Sequence, residues 1–175
     1  MSDELRRRLD ERMRRIPDWP KPGILFLDIT PVLADAVLLR DAVDAMAGAY
    51  RDAGVTHVAG IEARGFVLGA GVALALGAGF VPLRKPGKLP SERVRQDYAL
   101  EYGSDALEAH RDAFPAGARA LVVDDVLATG GTAEAAGRLV RTLGAELAGW
   151  SFLLEIAALG GRARLGGAPV RSLVG

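Results

Sequence analysis

No cysteine occurs among the 175 residues, which excludes disulfides, thiolate nucleophiles and cysteine-ligated metals. A zinc site would have to draw on His57, His110 and carboxylates, and neither histidine has a partner at ligand spacing. Net charge is missing too. The 22 basic and 22 acidic residues cancel, so no global field attracts nucleic acid or an anionic membrane, and any anion site must be local. The first eight residues lack the apolar stretch of a secretory leader. The stretch 66–83 is uncharged and approaches bilayer length, but Gly69, Gly71, Gly77, Gly79 and Pro82 interrupt it, and Arg64 and Arg84 bracket it. It reads as a buried helix, a glycine turn and a buried strand. These absences predict a cytoplasmic protein with neither a membrane nor a nucleic-acid partner.

Half of the residues are hydrophobic and a quarter charged, enough for one domain over 1–175 to bury a proper core. Apolar residues at three- and four-residue spacing predict helices over 5–16, 37–50, 65–76 and 133–143. Short apolar runs predict strands at 55–61, 80–84, 118–123, 149–154 and 170–174, and 97–102 alternates in strand fashion. The Pro-rich stretch 17–31 reads as an extended loop. Apolar strands interleaved with helices indicate an α/β fold, with a mostly parallel central sheet flanked by helices.

In such sheets ligands bind at the carboxyl ends of strands, and four predicted strand ends carry unusual residues. The first is Val122-Val123-Asp124-Asp125-Val126-Leu127-Ala128-Thr129-Gly130-Gly131-Thr132. Two adjacent carboxylates repel unless partners are present, and ribose hydroxyls are suitable donors. The small residues that follow let backbone N–H groups wrap a phosphate at a helix N-terminus. A plain helix cap would explain Thr132 but not both aspartates and both glycines. The loop is neither a Walker A loop nor a dinucleotide fingerprint.

The second, Gly60-Ile61-Glu62-Ala63-Arg64-Gly65-Phe66, puts an arginine at a helix start, compatible with an anion site or a capped surface turn. The third, Arg84-Lys85-Pro86-Gly87-Lys88, has three cations in five residues and fits a solvated loop equally well in isolation. The fourth, Tyr98–Gly103, reads by itself as an exposed hairpin.

Together with Ile16–Ile24 and Phe26–Pro31, these segments resemble, in order, the type I phosphoribosyltransferases, and specifically their adenine branch. The Asp-Asp…Thr-Gly-Gly-Thr motif marks the superfamily; Arg84–Pro90 and Leu100–Gly103 mark the branch. The resemblance implies a small hood, to which residues 1–33 contribute, and a flexible catalytic loop at about 89–105. It implies transfer of ribose 5-phosphate from 5-phosphoribosyl 1-pyrophosphate (PRPP) to N9 of adenine, with Mg²⁺ held mainly through PRPP, in a homodimer.

By the same resemblance, Asp124 and Asp125 hold the ribose hydroxyls, and Ala128, Thr129, Gly130, Gly131 and Thr132 hold the 5-phosphate. Arg64, Arg84, Lys85 and Lys88 surround the pyrophosphate. Phe26 stacks on adenine with Val126 or Leu127 opposite, and backbone at 25–27 reads the base edge. Glu101 handles the proton at the base. One departure stands out: position 27 is Leu, where the family usually has a basic residue.

Overall fold

The computed structural model describes residues 2–99 and 104–175. Five strands form a parallel sheet: β3 (His57–Ile61), β4 (Gly79–Leu83), β7 (Arg119–Leu127), β8 (Glu146–Glu155) and β9 (Val170–Val174), in the order β4-β3-β7-β8-β9. Helices cover both faces, so the central strands are apolar on both sides. Val58, Leu121 and Val123 join a core with Leu68, Val72 and Met46, from helices α3 (Ala36–Gly48) and α4 (Arg64–Leu76). Ala59 and Val122 join the opposite core, with Leu139 of α5 (Gly131–Thr142) and with Trp150 and Phe152. The period-two alternation of a strand thus sorts neighbouring residues into two separate cores.

The stretch 66–83 folds as expected, with α4 closed by Gly77 in the left-handed conformation (φ 65°) before β4 begins. No helix among the described residues is long and apolar enough to cross a membrane. Helix α4 lies close on the sheet because it presents glycine. A Cβ on Gly69 would approach the Phe80 ring to 3.0 Å and Gly60 Cα to 3.3 Å.

Several boundaries differ from expectation. The first helix, α1 (Asp3–Arg12), stops four residues early, because Arg14–Pro17 (β1) turns back to pair antiparallel with Leu25–Asp28 (β2). The stretch 17–31 is therefore part of a hairpin followed by the short helix α2 (Thr30–Leu33), not simply a loop. Asp28 sets the exit: its carboxylate accepts from the Thr30 N–H at 2.9 Å and the Thr30 hydroxyl at 2.8 Å. These bonds hold the Asp28 carboxyl below the usual carboxylate range.

Strand β7 runs four residues beyond Val123, carrying both aspartates inside the strand. Aspartate is a poor strand former, but the ladder to β8 continues, with Asp124 opposite Phe152 and Val126 opposite Leu154. The catalytic loop expected at 89–105 is largely an antiparallel hairpin of β5 (Arg93–Ala99) and β6 (Ser104–His110). Tyr98, Leu107 and Ala109 anchor it in the core under α5. Glu101 lies outside the described residues.

Candidate active site

The carboxyl ends of β3, β4 and β7 converge on one cleft. Asp125, buried, forms an ion pair with the Arg64 guanidinium at the start of α4. Its backbone N–H donates to Asp124 Oδ1 at 2.9 Å. Asp124 is half-buried beside it, and burial together with the Asp125 carboxylate pushes its carboxyl well above the usual range. Glycine is required across from this pair. A Cβ on Gly65 would stand 2.8 Å from Asp124 Oδ1 and 2.9 Å from the Val123 carbonyl oxygen. Ile61, Ala63, Arg64, Lys85, Asp124, Asp125, Val126 and Thr132 surround a cavity of about 340 Å³.

A smaller cavity of about 80 Å³ adjoins it, lined by Asp124 and the loop from Val126 to Ala133. The loop enters α5 at Gly130, which is left-handed (φ 82°), and no side chain caps the helix. Its first N–H groups therefore face the cradle with the positive end of the helix dipole. The loop rests on backbone: a Cβ on Gly130 would sit 2.5 Å from the Gly161 carbonyl oxygen, and one on Gly161 would sit 2.1 Å from that of Ala128. Gly161 belongs to a 3₁₀ turn, Gly161–Arg164, fastened by Arg162, which pairs with Glu155 and donates to the Val170 carbonyl at 2.8 Å.

The cations assigned to pyrophosphate are near the cleft but already engaged. Arg84 Nε lies 3.3 Å from Glu62 Oε2, the Lys85 N–H donates to the same oxygen at 2.9 Å, and Lys88 Nζ contacts Oε1. Burial acts to raise the Glu62 carboxyl, but Lys88, the Lys85 N–H and Arg84 together hold it below its usual value. The Lys85 ammonium bonds to Asp105 of β6 and to the Tyr98 hydroxyl at 2.6 Å. Burial works against that charge, yet these partners raise the Lys85 pKa overall.

At the β1–β2 hairpin, the Phe26 ring lies 5.9 Å below the Arg64 guanidinium and meets Trp19 edge-on with centroids 4.4 Å apart. Leu27 points elsewhere, packing with Leu154, Ile156 and Val174 around a separate cavity of about 500 Å³ under α1. Of the two residues expected opposite Phe26, Val126 is half-buried on the cleft. Leu127 is 1 % exposed and packs in the core beside the smaller cavity. His57 is outside the cleft, at the amino end of β3, bonded to Thr56.

A family model described as the phosphoribosyl transferase domain matches residues 33–163. An adenine phosphoribosyltransferase from Myxococcus xanthus (strain DK1622) is 60 % identical over 166 residues, covering 95 % of this chain and 90 % of the relative. The chain belongs to the adenine phosphoribosyltransferase family. The solved family member from Rhodothermus marinus superposes with a TM-score of 0.93 at 48 % identity, covering 99 % of both chains. The member from Saccharomyces cerevisiae, solved with an imino-altritol bisphosphate and adenine, superposes at 0.92 with 41 % identity, over 98 % of this chain and 99 % of that one.

Within this family fold, four supporting residues escape a motif reading: Glu62, Gly65, Asp105 and Gly161. Glu62 and Gly65 lie inside the quoted Gly60–Phe66 segment, but nothing in its spacing announces their contacts. Asp105 and Gly161 are isolated in sequence, and only the fold brings them to the cleft.

Proposed function

We propose that this chain catalyses the transfer of ribose 5-phosphate from PRPP to N9 of adenine, releasing pyrophosphate. The observation that carries the reading is the arrangement about Asp124. A carboxylate pair lies between a backbone cradle at a helix N-terminus and a set of cations, with an aromatic ring of the hood beside Arg64. The 5-phosphate fits the cradle at Ala128–Thr132, the ribose hydroxyls donate to Asp124 and Asp125, and the pyrophosphate faces Arg64, Arg84, Lys85 and Lys88.

The bond from C1 of the ribose to the pyrophosphate oxygen breaks as the bond from N9 forms, and N9 gives up its proton. Positive charge develops at C1 and negative charge on the departing pyrophosphate. Acids lie at the sugar and cations at the leaving group, so fixed charges oppose both developing charges. Adenine lies between Phe26 and Val126. Strand β2 pairs on one edge only, which supports a role for its backbone in reading the base. Leu27 does not disturb this, because its side chain packs away from Phe26. Glu101 takes the N9 proton.

Mg²⁺ fits this reading as a hard ion held chiefly by PRPP oxygens. The described residues contain no cluster of three or more His, Asp or Glu able to cage a metal, while Asp124 offers an oxygen donor on the cleft. Held there by Asp124 and PRPP oxygens, the ion would neutralise pyrophosphate charge. The same proposal includes a homodimer. Beyond Arg64, helix α4 carries no charge, and its Val67 and Leu74 are 48 % and 85 % exposed, an apolar face suited to a second copy.

The test is pyrophosphate release from PRPP with adenine, hypoxanthine or no base, with and without Mg²⁺. Release with adenine and Mg²⁺ is expected. Release with hypoxanthine but not adenine would overturn the assignment of the base, and PRPP binding without release would make the chain a sensor.

A further inference from the structure

Glu62 stands at the end of β3, and the roles assigned above leave it unused. Its side chain is 10 % exposed. Three donors converge on its carboxylate: Arg84, Lys88 and the Lys85 N–H. Two of these are cations assigned to the leaving group, and the third is a backbone donor of the kind a phosphate oxygen takes. Glu62 also lines the 340 Å³ cavity with Arg64, Asp124, Asp125 and Thr132.

These bonds are not what seats the cationic loop. Arg84 exchanges both backbone hydrogen bonds with Glu108 of β6, at 2.8 and 2.7 Å. The buried Glu108 carboxylate also accepts the Gly87 N–H at 3.0 Å and pairs with Arg93 at 3.1 Å. The loop is thus tethered through Glu108 independently of the Arg84 and Lys88 side-chain contacts with Glu62.

We propose that Glu62 is an internal counter-anion that competes with pyrophosphate for Arg84 and Lys88 and so sets how tightly the leaving group is held. The proposal rests on the phosphoribosyl-transfer reading. Four cations around a multiply charged anion hold it strongly, and a site that binds its product too well is limited by release. Glu62 offsets one of those charges and gives Arg84 and Lys88 a partner to return to as pyrophosphate leaves.

The test is calorimetric titration of the full chain with inorganic pyrophosphate and Mg²⁺, comparing wild type with Glu62→Gln. One unit charge about 4 Å from a bound anion, at the near-bulk dielectric of an open, water-filled cleft, is worth on the order of tenfold in affinity. Glu62→Gln should therefore bind pyrophosphate about tenfold more tightly and turn over more slowly. Binding of ribose 5-phosphate at the 128–132 cradle should change by less than about twofold. Glu62→Asp, which draws the carboxylate back and disturbs packing least, should tighten pyrophosphate binding to a smaller degree. Lys88→Gln should cost more pyrophosphate affinity in the Glu62→Gln background than in wild type, because Lys88 is then released from its competitor. Unchanged or weaker pyrophosphate binding in both Glu62 variants would show a purely structural clamp and overturn the proposal. A wild-type chain that neither binds pyrophosphate nor consumes PRPP would instead remove the reading beneath it.

Discussion

Asp124 carries two opposed consequences at the scale of a single residue. Its carboxylate is assigned to the ribose, so Asp124→Asn loses a charged hydrogen bond worth about 1.5–3 kcal/mol. The kcat/KM for PRPP should fall roughly ten- to a hundredfold; unchanged kinetics would remove Asp124 from the ribose. Stability should move the other way. Burial and Asp125 raise the Asp124 pKa, so between the ordinary carboxylate range and that raised value the folded protein holds a proton the unfolded chain has lost. Stability from this group is thus present in acid and declines as pH rises through that window. Asn is indifferent to pH, so the melting temperature of Asp124→Asn should gain on wild type as pH rises above the ordinary carboxylate range. Glu101 belongs to the same scale. Glu101→Gln should lower kcat by about a hundredfold, within the range of general acid–base catalysis, while PRPP affinity stays near wild type.

Among the elements, the phosphate loop shows how a motif depends on a distant support. Gly130 and Gly161 meet backbone to backbone, which leaves no room for a side chain on either. Gly161→Ala should displace Ala128, cost about 1–3 kcal/mol of stability as overpacking does, and raise the KM for PRPP more than that for adenine. Equal effects on both substrates would place the damage beyond the loop. The sequence makes the loop itself legible because small residues before a helix have few other uses. Its seat is not legible, because Gly161 follows Gly160 in an ordinary-looking turn. Likewise β6 escaped periodicity: in Ser104–His110 Ala106, Leu107, Glu108 and Ala109 are all buried, and Glu108 is tolerated there only because Gly87 and Arg93 satisfy it. The β1–β2 hairpin escaped for another reason. Pro17, Pro20 and Pro22 mask any strand pattern there, and pairing across the turn is not encoded by alternation in either strand.

For the whole molecule, the prediction concerns assembly. Sedimentation should report a particle of about twice 18.4 kDa, and Leu74→Lys should shift it toward single chains, since burying an unpaired charge in an apolar interface is costly. A wild-type monomer at micromolar concentration would remove α4 as a contact between copies.

The sequence by itself determined the α/β class, the mostly parallel character of the central sheet and the carboxylate pair with its phosphate loop. Each of these is written in local periodicity or in residue types that few other uses would require. Tertiary structure decided which side chains face the cleft and which do not. Leu127 lies in the core and Val126 on the cavity, Leu27 turns away from Phe26, and Glu62 engages Arg84 and Lys88. Those outcomes depend on strand ends, close backbone contacts and ion pairs between segments far apart in the chain. The cradle at Ala128–Thr132 is written in the chain, while the balance of charge around it exists only once β3, β4 and the β5–β6 hairpin are brought together.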